Sequence, residues 1–178
     1  MIRVVLVLSL TLLAACAQNR SLGDRIDDTS ASLALKRKLL LERDVHTGDI
    51  DMTFFEGRLL LAGTVRSEAD AVIIEEKAAE IASVDEVINE LVVGPRTSLA
   101  QGPRDTMIDQ RLQTALFADT GVKSGNYRIL VSQGTVYLLG VAQGPNELTR
   151  VTGQAQALDG VKEVVSHVIY LRDPRRGR

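Results

Sequence analysis

Gly57-Arg58-Leu59-Leu60-Leu61-Ala62-Gly63 is the stretch that decides the fold, and it returns 77 residues later as Gly134-Thr135-Val136-Tyr137-Leu138-Leu139-Gly140. An alternating apolar run, residues 50–54 or 127–131, precedes each copy. Each run and copy together predict a β-hairpin, because a glycine at the reversal supplies the positive φ that the turn needs. Since the turns are Glu-Gly and Gln-Gly rather than the usual Asn-Gly or Asp-Gly, a longer loop with a glycine bulge is an equally good interpretation.

The repeat extends well beyond the hairpins. From Asp28 onward the two halves of the chain align without a gap, so that Leu35 and Leu39 match Leu112 and Leu116. The apolar spacing in each half predicts helix, strand, strand, helix, strand. The buried stripe predicted for the second helix is Ala71, Ile74, Ala78 and Ile81, repeated as Leu148, Val151, Ala155 and Leu158.

The amino terminus is typical of a bacterial lipoprotein signal. A short basic start precedes an apolar run, residues 4–15, which is too short to span a bilayer and suits the core of a signal peptide. The run ends in Leu13-Ala14-Ala15-Cys16, which resembles the lipobox, and Cys16 is the only cysteine. We predict a covalent diacylglycerol and an N-acyl chain on Cys16, which together exceed what stable anchoring needs. The alternative is an ordinary signal peptide with an incidental cysteine.

Two Gly-Pro pairs, at residues 94–95 and 102–103, mark a linker between the halves. Ala17 follows the lipidated cysteine, where an aspartate would favour retention in the inner membrane, so we predict the periplasmic face of the outer membrane. The predicted division is a signal peptide at 1–15, a tether at 16–26, a first unit at 27–94, a linker at 95–102, a second unit at 103–171 and a basic tail at 172–178.

The composition excludes several classes of function. Hydrophobic residues make up 45% and aromatic residues 3%, which predicts an aliphatic core. A formal net charge of −2 gives no support for binding nucleic acid. The sequence has no nucleophile elbow, phosphate loop or zinc-protease motif, and neither His46 nor His167 has another histidine or cysteine nearby. We therefore predict a protein that is not an enzyme, with no metal, no cofactor and no small-molecule substrate.

The repeated pattern resembles the BON-domain family of bacterial envelope proteins. The resemblance rests on Gly57 to Gly63 with Val84 to Val87, and on Gly134 to Gly140 with Gly160 to Val164. It implies an α+β fold of two tandem domains, each a small mixed sheet packed against two helices. It also implies a periplasmic position and a role in envelope integrity through contact with anionic phospholipid. The family's common Asp-Gly hairpin turn is replaced here by Glu-Gly and Gln-Gly.

The first helix of the second unit carries the best candidate for a lipid surface. Beside its buried stripe stand two extra apolar residues, Met107 and Phe117, with Arg104, Arg111 and Lys123 near them. Apolar residues ringed by cations suit a phospholipid surface, because the ring enters the headgroup boundary while the charges meet phosphates. The alternative is that Phe117 packs into a gap between the two domains.

A rival surface lies in the equivalent helix of the first unit. Lys36, Arg37 and Lys38 stand there among Leu33, Leu40 and Leu41, and they predict either a lipid contact or a domain contact. The basic tail offers a third contact with anionic groups, or else is simply solvated. The leading hypothesis is an envelope lipoprotein that binds anionic phospholipid and helps to maintain the outer membrane. The alternative is a docking or chaperone-like module for a protein partner in envelope assembly or the osmotic-stress response.

Overall fold

The computed structural model describes residues 33–39, 49–95, 98 and 100–176. The signal peptide, Cys16 and the tether lie outside these residues, as do His46, Leu40 and Leu41. Within the described part of the chain, no helix is both long enough and apolar enough to cross a membrane.

Both units have the predicted order of elements. In the first, residues 33–39 are helical (α1), and β1 (Ile50–Phe55), β2 (Arg58–Val65), α2 (Glu68–Ala79) and β3 (Glu86–Val93) follow. In the second, α3 (Gln101–Ala118) leads through a short 3₁₀ turn (Ser124–Asn126) to β4 (Tyr127–Ser132), β5 (Thr135–Ala142), α4 (Pro145–Gln156) and β6 (Glu163–Tyr170). Helix α3 begins within the segment predicted as a linker. Each sheet is mixed, because its middle strand, β2 or β5, pairs antiparallel on one side and parallel on the other.

The sequence predicts where the second helices begin, because Ser67 stands three residues before Asp70 as a capping pair and Pro145 follows Gly144 at a first helical position. Ser67 Oγ accepts a hydrogen bond of 3.2 Å from the backbone N–H of Asp70, which satisfies one of the unpaired donors at the start of α2. Pro145 is the first residue of α4, where its missing N–H costs nothing. These local signals set the residue at which each helix begins.

Both hairpins close with two-residue turns. Phe55 pairs with Arg58, and Ser132 pairs with Thr135, so each turn contains only the two residues between them. Both turn residues have positive φ, 47° at Glu56 and 76° at Gly57 in the first hairpin, which is the type I′ geometry. The longer bulged loop is therefore wrong. A glutamate in this region of φ costs roughly 1–2 kcal/mol relative to glycine.

The glycine inside each middle strand allows a close backbone approach. A Cβ added to Gly63 would lie 2.1 Å from the carbonyl oxygen of Asp49. The same oxygen accepts a hydrogen bond of 3.1 Å from the backbone N–H of Thr64. Gly140 has the same relation to Asn126. The close neighbour of each glycine is therefore the backbone of the segment that leads into the first strand of the same sheet.

The middle strands are buried on both faces. In β2, Leu59 and Leu61 pack against the helices of the first unit, whereas Leu60 and Ala62 point to the opposite side. There they form a separate core with residues of the second unit, among them Leu139 of β5. The described residues therefore form four layers, which are helices, sheet, sheet and helices. Between these layers lie the three hydrophobic cores of this part of the chain.

Polar side chains join the two units around this interdomain core. Arg58 is 3% exposed, and its guanidinium donates to Glu86 Oε2 and to the carbonyl oxygen of His167, each at 2.7 Å. The side-chain amide of Gln133 donates to the hydroxyl of Thr64. The tail is docked rather than solvated as far as residue 176, because the Arg176 guanidinium donates to both carboxylate oxygens of Glu56, at 2.9 and 3.1 Å.

Candidate functional site

The outer face of α3 carries the exposed apolar residues. Ile108, Leu112 and Leu116 face the core of the second unit, as their spacing predicted. On the other side, Met107 is 51% exposed and Phe117 is 83% exposed. By the helical period these two side chains lie about 80° apart around the axis and about 15 Å apart along it. A flat surface resting on the outside of α3 would therefore meet both.

The cations predicted beside these residues divide into two groups. Arg104 and Arg111 are exposed and share one edge of α3 with Met107, because three or four residues separate each from it. Phe117 lies roughly 120° from Arg111 around the helix, so these two side chains are not neighbours. Lys123 is exposed in the turn after α3, and its backbone N–H donates to Glu147 Oε1 at 2.7 Å.

Phe117 borders an open groove between α3 and β4. The groove has a volume of about 530 Å³ and is lined by Gln113, Thr114, Leu116, Phe117, Ser124, Gly125, Tyr127, Arg128 and Ile129. Arg128 is the one charged residue among these lining residues. Its guanidinium lies 5.5 Å from the ring centroid of Phe55, and it also donates to the carbonyl oxygen of Tyr127 at 3.1 Å. The cation that shares a groove with Phe117 is thus Arg128, which the sequence analysis missed.

A second groove, at the start of α3, is acidic. Asp49 and Asp51 from the first unit and Asp105 and Asp109 from α3 all line it. The Asp51 side chain lies exposed at the rim of this groove, where partial desolvation, and then the charge of Asp105, raise its pKa above the ordinary value. Anionic headgroups would be repelled by this groove. The part of α3 that suits an anionic surface is therefore its outer face, where Arg104, Arg111 and Phe117 are exposed, rather than the side that borders the groove.

Asp105 itself has a structural role. Its side chain is buried and accepts hydrogen bonds from the backbone N–H groups of Gln133 and Gly134, at 2.8 and 2.9 Å. It thereby fastens the second hairpin turn to α3. Asp105 is the residue at which the second copy of the repeat begins to align, and this contact gives that position a structural role.

The rival basic surface lies on the opposite outer layer. Lys36 and Arg37 are exposed on α1, whereas Lys38 Nζ lies 2.7 Å from Glu80 Oε2 in the same unit. Leu35 and Leu39 pack α1 against the first sheet. A flat membrane against α3 would therefore leave α1 facing away, so the two surfaces are alternatives for one bilayer.

Two further sequence alternatives have structural outcomes. Phe117 does not pack between the domains, because the interdomain core is formed by the sheets and Phe117 lies on the outer helix layer. His167 lies in that interface, with Nε2 2.8 Å from Glu90 Oε1. Among the described residues, no three histidine, cysteine, aspartate or glutamate side chains are grouped so that they could hold a metal ion.

Comparison with known proteins gives consistent matches over both repeats. The BON domain matches residues 27–95 and again residues 104–172. A protein of Anaplasma centrale described as "Uncharacterized protein in gshII 5'region" is 34% identical over 144 residues, which are 80% of this chain and 94% of that protein. Outer membrane lipoprotein DolP of Haemophilus influenzae is 30% identical over 156 residues, 85% of this chain and 79% of DolP. Osmotically-inducible protein Y of Escherichia coli is 26% identical over 144 residues, 80% of this chain and 72% of that protein.

Proposed function

Because the chain belongs to the BON-domain family, we propose that it is a non-enzymatic lipoprotein of the bacterial envelope that binds anionic phospholipid through the outer face of α3. In this proposal residues 1–15 are removed, Cys16 carries the acyl chains, and residues 16–26 tether two BON domains to the periplasmic face of the outer membrane. Binding helps to maintain that membrane. The proposal is supported by the similarity to DolP, whose description names an outer membrane lipoprotein, and to an osmotically inducible protein.

The observation that carries the proposal is the exposure of Phe117. A side chain that is 83% exposed gains free energy from any apolar environment that covers it, up to about 1.5–3 kcal/mol for full burial of a residue of this type. Basic residues close to an anionic surface contribute about 1 kcal/mol each. Arg104, Arg111 and Lys123 together therefore contribute a binding free energy of about the same size as that of the aromatic ring. We expect binding that weakens as salt is added, because salt screens these charges.

A second candidate function is supported by the groove beside Phe117. Strand β4 is an edge strand of its sheet, and the groove runs between this edge and α3. An edge strand beside a helix is a geometry in which an extended peptide can add a strand. On this alternative, the protein docks a partner involved in envelope assembly or the osmotic-stress response.

Vesicle binding separates the two functions. The chain from Ala17 onward, without acyl chains, is mixed with vesicles of phosphatidylcholine alone or with phosphatidylglycerol, and bound protein is measured by sedimentation. Arg111→Glu should weaken binding to the anionic vesicles more than tenfold. The change replaces an attraction of about 1 kcal/mol with a repulsion of about the same size. Phe117→Ala should weaken it by removing the apolar anchor. Both variants should keep the melting temperature, since both side chains are exposed.

Arg37→Glu is the matched control. It reverses the same charge on the opposite helix layer and should leave binding unchanged. If Arg37→Glu weakens binding while Arg111→Glu does not, the lipid surface belongs to α1. If the parent protein binds neither kind of vesicle, the lipid function is wrong and the docking function gains support.

A further inference from the structure

The C-terminal segment, residues 171–176, crosses from the second unit to the first hairpin. There Arg176 forms a bidentate ion pair with Glu56; the Arg176 side chain is 27% exposed and the Glu56 side chain is 17% exposed. Arg175 Nη2 lies 2.9 Å from Asp173 Oδ2, and its Nη1 lies 3.9 Å from Glu86 Oε1. We call this set of contacts, between Arg175 and Arg176 on one side and Glu56 and Glu86 on the other, the C-terminal clasp.

Glu56 occupies a position at which glutamate is unusual. It is the first residue of a type I′ turn, with φ of 47°, where asparagine, aspartate or glycine is common. The longer side chain of glutamate reaches Arg176 on the other unit. Gln133, the matching residue of the second hairpin, also has positive φ and also reaches the other unit, at Thr64. In both turns, therefore, the residue that departs from the common turn sequence has a long side chain, and that side chain joins the two units.

The clasp is connected to the groove beside Phe117. Glu56 directly follows Phe55, whose ring lies under the guanidinium of Arg128. Arg128 in turn lines the groove together with Phe117. A short series of contacts therefore links the arginines of the clasp to the groove beside Phe117.

We infer that Glu56 and Glu86 keep Arg175 and Arg176 paired and so prevent them from binding other anions. An anionic phospholipid surface competes for these arginines and opens the clasp. This inference rests on the proposed function and names a regulation of the same binding event. Protein bound through α3 then gains a second basic contact from the tail. The tail remains closed when the surface carries no net charge.

The relative strengths permit this competition. The contact of Arg175 with Glu86 is long and joins side chains that are 50% and 35% exposed, so it contributes less than the roughly fivefold in an equilibrium constant that an exposed ion pair reaches at most. The bidentate pair of Arg176 with Glu56 is more buried and is the stronger of the two. A basic residue close to an anionic surface contributes about fivefold. Arg172 is already exposed and is not held by the clasp. Opening therefore makes two residues, Arg175 and Arg176, available to the surface at about fivefold each, while the protein loses their pairs with Glu86 and Glu56. The gain and the loss are of similar size, so a strongly anionic surface shifts the clasp towards its open form, and a neutral surface does not.

The test uses the chain from Ala17 onward and vesicles with increasing phosphatidylglycerol. Glu56→Gln removes the partner of Arg176 without removing the turn, because Gln133 adopts the same conformation in the second hairpin. It should raise affinity for strongly anionic vesicles about fivefold and leave neutral vesicles unaffected. Arg176→Gln should lower that affinity. In the Arg176→Gln background, Glu56→Gln should then have no further effect.

The matched control is Glu76→Gln, which removes the same charge from an exposed position of α2. An equal gain from Glu76→Gln would mean that net charge alone is responsible, and it would overturn the clasp. The clasp is also wrong if Glu56→Gln leaves affinity unchanged, or if its gain persists without Arg176. These outcomes differ from failure of the proposed function. If Phe117→Ala and Arg111→Glu weaken binding while Glu56→Gln does nothing, the lipid surface stands and the clasp does not.

Discussion

Glu90 and His167 occupy the same position in the two repeats, and they are in contact across the interdomain interface, with Glu90 Oε1 2.8 Å from His167 Nε2. Where equivalent faces of two sheets pack against each other, contact between a residue and its own counterpart indicates a local two-fold axis that passes close to both. The core around them is consistent with this axis, because Leu60 and its counterpart Tyr137 both contribute to it. The same face of each sheet is therefore packed against the other.

The axis predicts that the contact tolerates exchange of its partners. Glu90→His and His167→Glu should each destabilise the protein by about 0.5–1.5 kcal/mol, the usual net contribution of a hydrogen bond. The double exchange should recover most of that loss, because both positions have the same surroundings. A double-mutant cycle on urea unfolding measures the coupling. Strictly additive losses would argue against equivalent surroundings.

Adjacent leucines of β5 should affect different cores. Leu138 packs against α3 and α4, whereas Leu139 packs against the first unit, and both are fully buried. Each substitution by alanine should cost about 2–5 kcal/mol. Leu138→Ala should weaken the second unit itself, while Leu139→Ala should split unfolding into two transitions. Met107→Ala is the exposed control. An unchanged, single transition for Leu139→Ala would show that the sheets do not share a core.

Asp105→Ala should loosen the second hairpin. It leaves the backbone N–H groups of Gln133 and Gly134 without their acceptor, which costs about 1–3 kcal/mol for an unsatisfied buried group. Amide hydrogen exchange in residues 132–135 should rise together with the loss in thermal stability. Asp109→Ala, one turn further along α3, should have a smaller effect on these amides. Equal exchange in both variants would contradict the proposed role.

The acidic groove predicts a pH effect at Asp51. Partial desolvation and the charge of Asp105 raise the pKa of this carboxyl above its ordinary value of 3.8, so between the two pKa values the folded protein holds a proton that the unfolded chain has lost. The contribution of Asp51 to stability therefore falls as pH rises from 3.8 through the raised pKa. Asp51→Asn should be more stable than the parent at pH ~7, with the difference vanishing below the ordinary pKa. Equal stability of the two proteins in urea at neutral pH would be the contrary result.

Cys16→Ser tests the anchor. A serine cannot form the thioether, so the variant should remain as an uncut precursor or leave the outer-membrane fraction. Its circular dichroism should match the parent, because residue 16 lies ahead of both units. Fractionation followed by immunoblotting gives the readout. Normal recovery in the outer membrane would rule out lipidation as the anchor.

The order of elements could be predicted because each half repeats the same local signals. The caps at Ser67 and Pro145 and the apolar stripe at Leu112 depend on neighbours in sequence, and all three are confirmed. The packing of the units was harder to predict. The unbroken apolar run in β2 did carry a signal, since a strand without alternation is buried on both faces. It does not say what covers the second face.

Part of the candidate site could be predicted from the sequence, because it too depends on neighbours in sequence. Phe117 stands outside the apolar stripe of α3, so its exposure follows from the helical period. Arg128 was missed because its neighbourhood is created when β4 packs beside α3. The docking of Arg176 was missed because Glu56 lies 120 residues earlier in the chain. Contacts of this kind depend on the fold rather than on local pattern.

The local two-fold axis gives one chain the geometry of a homodimer whose subunits have been fused. In a true homodimer with an isologous interface, any substitution appears on both sides at once. Fusion removes that restriction and keeps the partner at high effective concentration. Phe55 thus faces the interface in one copy where the other has Ser132, and Phe117 stands where the other has Leu40. Each copy is therefore free to differ from the other, as these two pairs of positions do.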